Sequence, residues 1–317
     1  MSNTAVCAPQ QVMGAQFSTY RIGGPLDEAY LPETEPQLLH LLDNKSTHDA
    51  PLTIIGWGGN VIIASAGIRG KSVITRKLSW INAASEMPDA FWCGAGAHLA
   101  KVSNAALSRN LTGAEYMIGI PGTVGGAIRM NAGALGQDTG NVVQRVKLYN
   151  WQTHCIEEWL PDDLEFAYRR SAILPEKHLI LSALLAFKPG DPEKISETMK
   201  KSVHFRKTNH PKEPSGGSVF KNPSPKMPVG RLMDELGAKG HWRDGGVMVS
   251  PLHGNFIINT GEGTSTQLLR LMWRMKKAIY EAYGLNVSPE NLLIGDIAEE
   301  ELLLWHALQK PLESVAS

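Results

Sequence analysis

Residues 115–136 read EYMIGIPGTVGGAIRMNAGALG, an apolar run in which glycine recurs at 119, 122, 125, 126, 133 and 136. Glycine lets the main chain adopt left-handed angles and lets a neighbour approach it closely. The run is therefore either an elaborate turn or a bare surface for something large and flat. A second glycine cluster, IIGWGGN at residues 54–60, directly follows a strand-like segment, so its amides could face an anion. Alone it reads equally well as a hairpin turn. Neither cluster is a GxGxxG opening a helix or a GxxxxGK loop. Two glycine-rich segments beside strands fit one extended ligand, with a pyrophosphate and a flat ring, better than two unrelated turns.

The whole chain narrows the choice. Its 317 residues carry 31 basic and 31 acidic side chains, a balance that argues against nucleic-acid or membrane-surface binding. The densest basic stretch, Lys200, Lys201, Arg206 and Lys207, is expected to be a solvated helix face. Three scattered cysteines, Cys7, Cys93 and Cys155, show no CxxC spacing, and the ten histidines show no HExxH, so neither a disulfide frame nor a metal site is expected. The N-terminal stretch lacks the charged and apolar regions of a secretory signal. The longest apolar run, LILSALLAF at 179–187, is too short to span a bilayer. These features predict a soluble protein of a reducing compartment.

Periodicity predicts an α+β chain. Helical spacing appears in QLLHLLDN, in HLAKVSNAALSRNL and in the stretch with Ile195, Met199 and Val203. It recurs in GRLMDELG and in TSTQLLRLMWRMKKAIYEAYG, which Thr264 or Ser265 caps and Gly284 stops. Strands are expected at PLTII, NVIIAS, KSVITRKL, FWCGAGA, VVQRVKLYN and HLILSALLAFKPG, and around a turn in VMVSPLHGNFIINTG. Boundaries are expected near residue 85 and near 205–215.

The run GIPGTVGGAIRMNAGALG resembles the flavin-binding segment of the UDP-N-acetylenolpyruvoylglucosamine reductases. The resemblance extends in order through STYRIGGP (18–25), GWGGN (56–60), FAYRRS (166–171), GGSVFKNP (216–223) and SPENLLIG (288–295). It implies a two-part FAD-binding domain of the vanillyl-alcohol-oxidase/PCMH type plus a C-terminal α+β substrate domain. The parts would span residues 1–85, 86–205 and 206–317. FAD would lie on Gly56, Gly58, Gly59 and Asn60, and on Gly119, Ile120, Pro121, Gly122, Thr123, Gly125, Gly126 and Ala127. NADPH would reduce it, leave, and be replaced by UDP-N-acetylglucosamine enolpyruvate, the precursor of UDP-N-acetylmuramate in peptidoglycan synthesis. A cytoplasmic enzyme is implied, monomeric or dimeric through its tail.

Reducing an enolpyruvyl group needs a cation at the carboxylate, stabilisation of the developing enolate, and a positioned acid. By the resemblance these are Arg169, Ser218 and Glu290. The fork of Arg169 would hold the carboxylate. Ser218 would donate the proton, and Glu290 would be a partly buried carboxyl group with a raised pKa. Tyr168, Lys221 and Asn222 would contact substrate. Read locally, Tyr168, Arg169 and Arg170 make a surface ion-pair cluster, GGS a turn and Glu290 an exposed strand start; only their joint order favours the functional reading.

Two departures from the family pattern stand out. Its phosphate loop usually reads Gly-Gly-Gly-Ser-Asn, whereas Trp57 and Gly59 here replace a glycine and the serine. The indole must point away from the pyrophosphate or stack on the cofactor. The short stretch between Ser171 and His210 fits the branch without an additional substrate-covering loop. His253 is expected to be structural, and the tail from Asp296 has no assigned role. An oxidase of the same flavin fold, acting on a sugar or aldonolactone, and a non-catalytic relative remain as alternatives.

Overall fold

The computed structural model describes residues 7–43 and 52–313. The first residues of the N-terminal stretch and the last four of the tail lie outside them. In chain order the main elements are α1 (Glu35–Asp43), β1 (Leu52–Ile55), β2 (Val61–Ile63), β3 (Ile68–Ile74), β4 (Ile81–Ala83), β5 (Ala90–Gly94), α2 (Leu99–Ser108) and α3 (Val124–Met130). There follow β6 (Val143–Asn150), β7 (Cys155–Trp159), β8 (His178–Ala186), α4 (Pro192–Asn209), β9 (Ser215–Ser218) and α5 (Val229–Glu235). The chain closes with β10 (Arg243–Asp244), β11 (Val247–Val249), β12 (Phe256–Asn259), α6 (Ser265–Tyr283), β13 (Leu292–Ile294) and α7 (Glu299–Gln309).

These elements form two compact units made of interleaved stretches. The first comprises residues 1–10, 28–57 and 70–208, and the second 11–27, 58–69 and 209–317. Each unit therefore draws on three separated stretches of the chain. It also resolves the nature of IIGWGGN. The flanking strands do not form a hairpin: β1 pairs in parallel with β3, and β2 pairs in parallel with β13.

The first unit is built on an antiparallel sheet ordered β7-β6-β8-β5-β4. Its central strand is the apolar run near residue 180, and it is buried along almost its whole length. Ile180, Ala183 and Leu185 join one apolar cluster with α2, α3 and Tyr116, while Leu179 and Leu181 join another with Leu38, Leu42 and Val73. A strand covered on both faces has no use for polar alternation, which explains why a globular protein carries LILSALLAF.

The second unit centres on the sheet β9-β12-β11-β10 and on α6. Leu268, Leu271, Met272, Met275 and Ile279 are all buried, as their helical spacing predicts. Thr264 caps α6 through Gln267 N, and Gly284 ends it at φ 65°. The tail adds α7, held at both ends by buried charge. Glu301, 1% exposed, accepts from the Ser265 and Thr266 hydroxyls and from Ala298 N at 3.2 Å. Lys276, also 1% exposed, donates to the carbonyls of Leu308 at 2.7 Å and Lys310 at 2.5 Å. An acid at the helix N-terminus and a cation at its C-terminus both complement the helix dipole.

Two expectations need correction. Val203 is 46% exposed, and α4 instead turns Ile195, Met199 and Ser202 inward. Arg206, expected on a solvated face, lies half-buried, and its Cδ is 3.9 Å from where a Cβ on Gly119 would stand. Burial without a carboxylate lowers its pKa to about 10.

Candidate active site

In the first unit, a 3-10 turn at Glu115–Gly119 leads through Ile120, Pro121 and Gly122 to Thr123, which precedes α3. Ile120 is tied back by its amide to Met117 O at 3.1 Å, and Pro121 is exposed. Leu99 N binds Gly122 O at 3.0 Å, Val124 N binds Ala97 O at 2.9 Å and Gly125 N binds Ala95 O at 2.8 Å. The α3 amides at 124 and 125 thus hold protein carbonyls. A Cβ on Gly125 would stand 3.2 Å from both Ala95 Cβ and Ala95 O, so packing explains this glycine. Gly122 and Gly126 face no such crowding, while Ala127 is buried and donates to Thr123 O at 2.8 Å.

The start of the IIGWGGN cluster meets the longer glycine-rich run in this unit. A Cβ on Gly56 would stand 2.8 Å from Thr123 Oγ1, so a bare position is required for the hydroxyl to approach. Thr123 also bridges His98, and the His98 ring packs edge-on to Trp57, with centroids 4.8 Å apart. Arg76 lies over the indole ring, 4.7 Å from its centroid. It donates to Gly56 O at 3.2 Å and Trp57 O at 2.6 Å. Trp57 is therefore packed on protein groups of its own unit, and Arg76 holds the turn's carbonyls. Burial lowers the pKa of His98, with Lys101 adding to the shift, and its Nδ1 accepts from Ala100 N at 3.2 Å.

Arg169 belongs to the same unit and departs from the ordinary backbone, with φ 55°. Ala167 and Arg170 exchange hydrogen bonds of 3.0 and 3.1 Å, which leaves Tyr168 and Arg169 at the corners of a tight turn. The guanidinium donates to Gly133 O at 3.2 Å and lies 5.3 Å from the Tyr168 ring centre. Tyr168 is 58% exposed. The neighbouring Arg170 side chain makes a 3.8 Å ion pair with Glu165, both exposed. Non-glycine residues in left-handed angles cost free energy and collect at functional sites. Asn131, Leu135, Glu165 and Arg169 all adopt them.

In the second unit, Gly58 takes φ 76° against Phe17, and its carbonyl accepts from Thr19 N at 3.1 Å. Gly59 is half-buried. Asn60 uses its carboxamide within the unit: Nδ2 donates to Glu290 O at 3.0 Å and Oδ1 accepts from Asn291 at 3.1 Å. Asn291 also receives the Tyr20 hydroxyl at 2.8 Å and donates to Gly216 O at 2.9 Å. Burial pushes the Tyr20 pKa well up, keeping it a neutral donor. Asn60 and Asn291 thereby join the GWGGN, GGSVF and SPENLL segments.

Ser218 ends β9 opposite Phe256. Glu290 N binds Val219 O at 2.8 Å, Lys221 N binds Ser288 O at 2.9 Å, and Phe220 bridges Pro289. The structure thus brings Glu290 beside the residue following Ser218, although 72 positions separate them in sequence (290 − 218). Glu290 and Lys221 are half-buried and Asn222 is exposed. Asn222 Oδ1 accepts from Val229 N at 2.9 Å, anchoring the start of α5. His253 is structural as expected: Nδ1 accepts from Asn255 N at 3.1 Å, its ring packs on Phe256, and burial lowers its pKa. Four residues of this network were not singled out in the sequence: His98 and Arg76 are single polar residues with no local signal, whereas Asn131 and Asn291 lie inside the quoted motifs GIPGTVGGAIRMNAGALG and SPENLLIG.

Comparison with known proteins decides what this arrangement belongs to. The profile of an FAD binding domain matches residues 27–157, and that of the UDP-N-acetylenolpyruvoylglucosamine reductase C-terminal domain matches 209–294. A UDP-N-acetylenolpyruvoylglucosamine reductase of Parasynechococcus marenigrum is 35% identical over 299 residues, covering 93% of this chain and 98% of the relative. One from Rubrobacter xylanophilus is 34% identical, covering 89% and 93%. The chain belongs to the UDP-N-acetylenolpyruvoylglucosamine reductase family. The crystal structure of the reductase from Thermus caldophilus superposes with a TM-score of 0.78 at 29% identity, over 90% of this chain and 99% of that one. As a member of this reductase family the chain is an FAD-dependent oxidoreductase with the α+β architecture expected of it. The first unit fits that cofactor: Gly56 lies against Thr123 of the longer glycine-rich run, with Gly122 and Gly126 left bare. Among the described residues no helix is long and apolar enough to cross a membrane.

Proposed function

We propose that this protein reduces UDP-N-acetylglucosamine enolpyruvate to UDP-N-acetylmuramate with NADPH as hydride donor, a step of peptidoglycan precursor synthesis in the cytoplasm. The observation that supports this reading most is similarity to reductases of that name over about nine-tenths of the chain, together with the adjacency of the Ser218 and Glu290 segments. FAD, when bound, supplies the hydride relay between donor and acceptor.

The chain's own residues do the rest. Arg169 offers a planar fork that can hold the substrate carboxylate by two hydrogen bonds and offset the negative charge that develops there. Ser218 Oγ delivers the proton to the carbon next to the carboxylate. A hydroxyl can do so only toward a strongly basic carbon with cations near, and Lys221, three residues on, supplies one. Glu290 in its protonated form donates a hydrogen bond to the developing enolate. Tyr168, Lys221 and Asn222 complete the substrate contacts. FAD is held by the Gly56–Asn60 turn and by residues 119, 120, 121, 122, 123, 125, 126 and 127. The working form is proposed to be a monomer.

An anaerobic visible spectrum tests this. The yellow protein should bleach with NADPH and recover its colour on addition of the UDP-enolpyruvyl sugar. Failure of the sugar to restore colour, with rapid recovery in oxygen, would replace the reading by an oxidase.

A further inference from the structure

We propose that Asn131 is a positioning residue for Arg169, so that the glycine-rich segment carries the arginine used in the reaction. This rests on the reading in which Arg169 binds the substrate carboxylate.

Helix α3 stops at Asn131, which takes φ 41° and is 3% exposed. Its Oδ1 accepts from Gly140 N at 2.9 Å, and its Nδ2 donates to Ala167 O at 3.2 Å. Ala167 is the base of the turn whose corners are Tyr168 and Arg169. Two residues beyond Asn131, Gly133 O receives the Arg169 guanidinium at 3.2 Å. Two residues before it, Arg129 O receives the Ser171 hydroxyl at 2.8 Å. Gly140, whose amide Asn131 holds, must lack a side chain, because a Cβ there would stand 2.8 Å from the Phe166 ring. The segment 166–171 is thus fastened to 129–140 before, within and after the turn.

The residue type follows from the chemistry. One group must accept from an amide and donate to a carbonyl at once, on a side chain short enough to turn back at a helix end. A carboxamide does both, whereas a carboxylate only accepts. Asparagine also tolerates the left-handed angle better than most residues. Arg169 itself is held at φ 55°, a conformation that persists only where neighbours over-determine it, and Asn131 is one of those neighbours.

The test uses the full chain with FAD bound, and variants Asn131→Gly and Asn131→Asp, each alone and combined with Arg169→Ala. Glycine keeps the left-handed angle and removes both hydrogen bonds; aspartate keeps the shape and the acceptor, and loses the donor to Ala167 O. In both single variants, flavin content and the rate of bleaching by NADPH should be unchanged. Their kcat/KM for the enolpyruvyl sugar should fall by about 10- to 100-fold, the scale of a misplaced binding group. In the Arg169→Ala background, either substitution should cost less than about twofold, because residues acting through one group are not additive. Multiplying losses in the double variants, or loss of flavin in step with activity, would make Asn131 a general structural support and overturn the proposal. Normal turnover of Arg169→Ala alone would remove the role of Arg169 itself, a separate failure that takes the proposal with it.

Discussion

The turn that carries Arg169 and the strand end that carries Ser218 present polar groups by opposite means. In the first unit the left-handed backbone angle falls on the arginine itself, and the neighbouring segment holds the turn through the Asn131 carboxamide and the carbonyls of Gly133 and Arg129, the last receiving the turn's own Ser171 hydroxyl. In the second, the left-handed angle is left to Gly217, with open space around its α-carbon, and Ser218 pairs in a ladder with Phe256. The cost of the left-handed angle falls on Arg169 in one case and is avoided by an adjacent glycine in the other. The difference shows that a motif residue can be costly or free to keep, depending on which position bends the chain.

The largest effect expected from this contrast is chemical. Ser218→Ala should keep FAD, its reduction by NADPH and its melting temperature, yet slow the return of colour with the enolpyruvyl sugar by at least ~10²-fold, the usual worth of a positioned acid. Stopped-flow absorbance measures this directly, and a normal rate would end the assignment. A smaller effect separates strain from function at the other residue. Arg169→Gly should be more stable than Arg169→Ala by about 1 kcal/mol, since only glycine takes the left-handed angle freely. Denaturant unfolding of the two variants checks it, and equal stability would show that the turn relaxes once the guanidinium is gone. No comparable gap is expected between glycine and alanine at Ser218.

The smallest effect concerns pH. The pKa of His253 is held below the ordinary histidine value of about 6.5 by burial, with Lys239 adding to the shift. The unfolded chain therefore binds the proton more readily, so stability is full above about pH 6.5 and declines as pH falls through the lowered value. Melting curves from pH 8 down to pH 5 should show this decline, and it should shrink in His253→Gln.

Local patterns were the most legible part of the sequence. Thr264 and Gly284 mark the limits of α6 because capping is decided within a few residues, and the five buried apolar positions follow from the helical repeat. The functional segments were legible for another reason, since five short motifs occur in the order of one family. What could not be read depends on distant partners. The face of α4 was misassigned at Val203, because its amphipathic signal is weak and Ser202 is the residue turned inward. That β1 and β2 pair with β3 and β13 rather than with each other is decided by residues as far away as Leu292. The resting place of the Trp57 indole depends on Arg76 and His98, neither of which looks unusual in sequence.

The tail helix carries a consequence for how this chain can vary. Lys276 sits on α6 within the span of the family profile, whereas α7, whose carbonyls it holds, lies beyond residue 294. Glu301 likewise lies outside that span, and its partner Ser265 inside it. A descendant that lost the tail in one step would keep a lysine in an apolar setting with nothing to receive its protons. A descendant that replaced the lysine first would leave the end of α7 without its donor. The two changes are therefore coupled energetically, and the tail helix and the core lysine depend on one another.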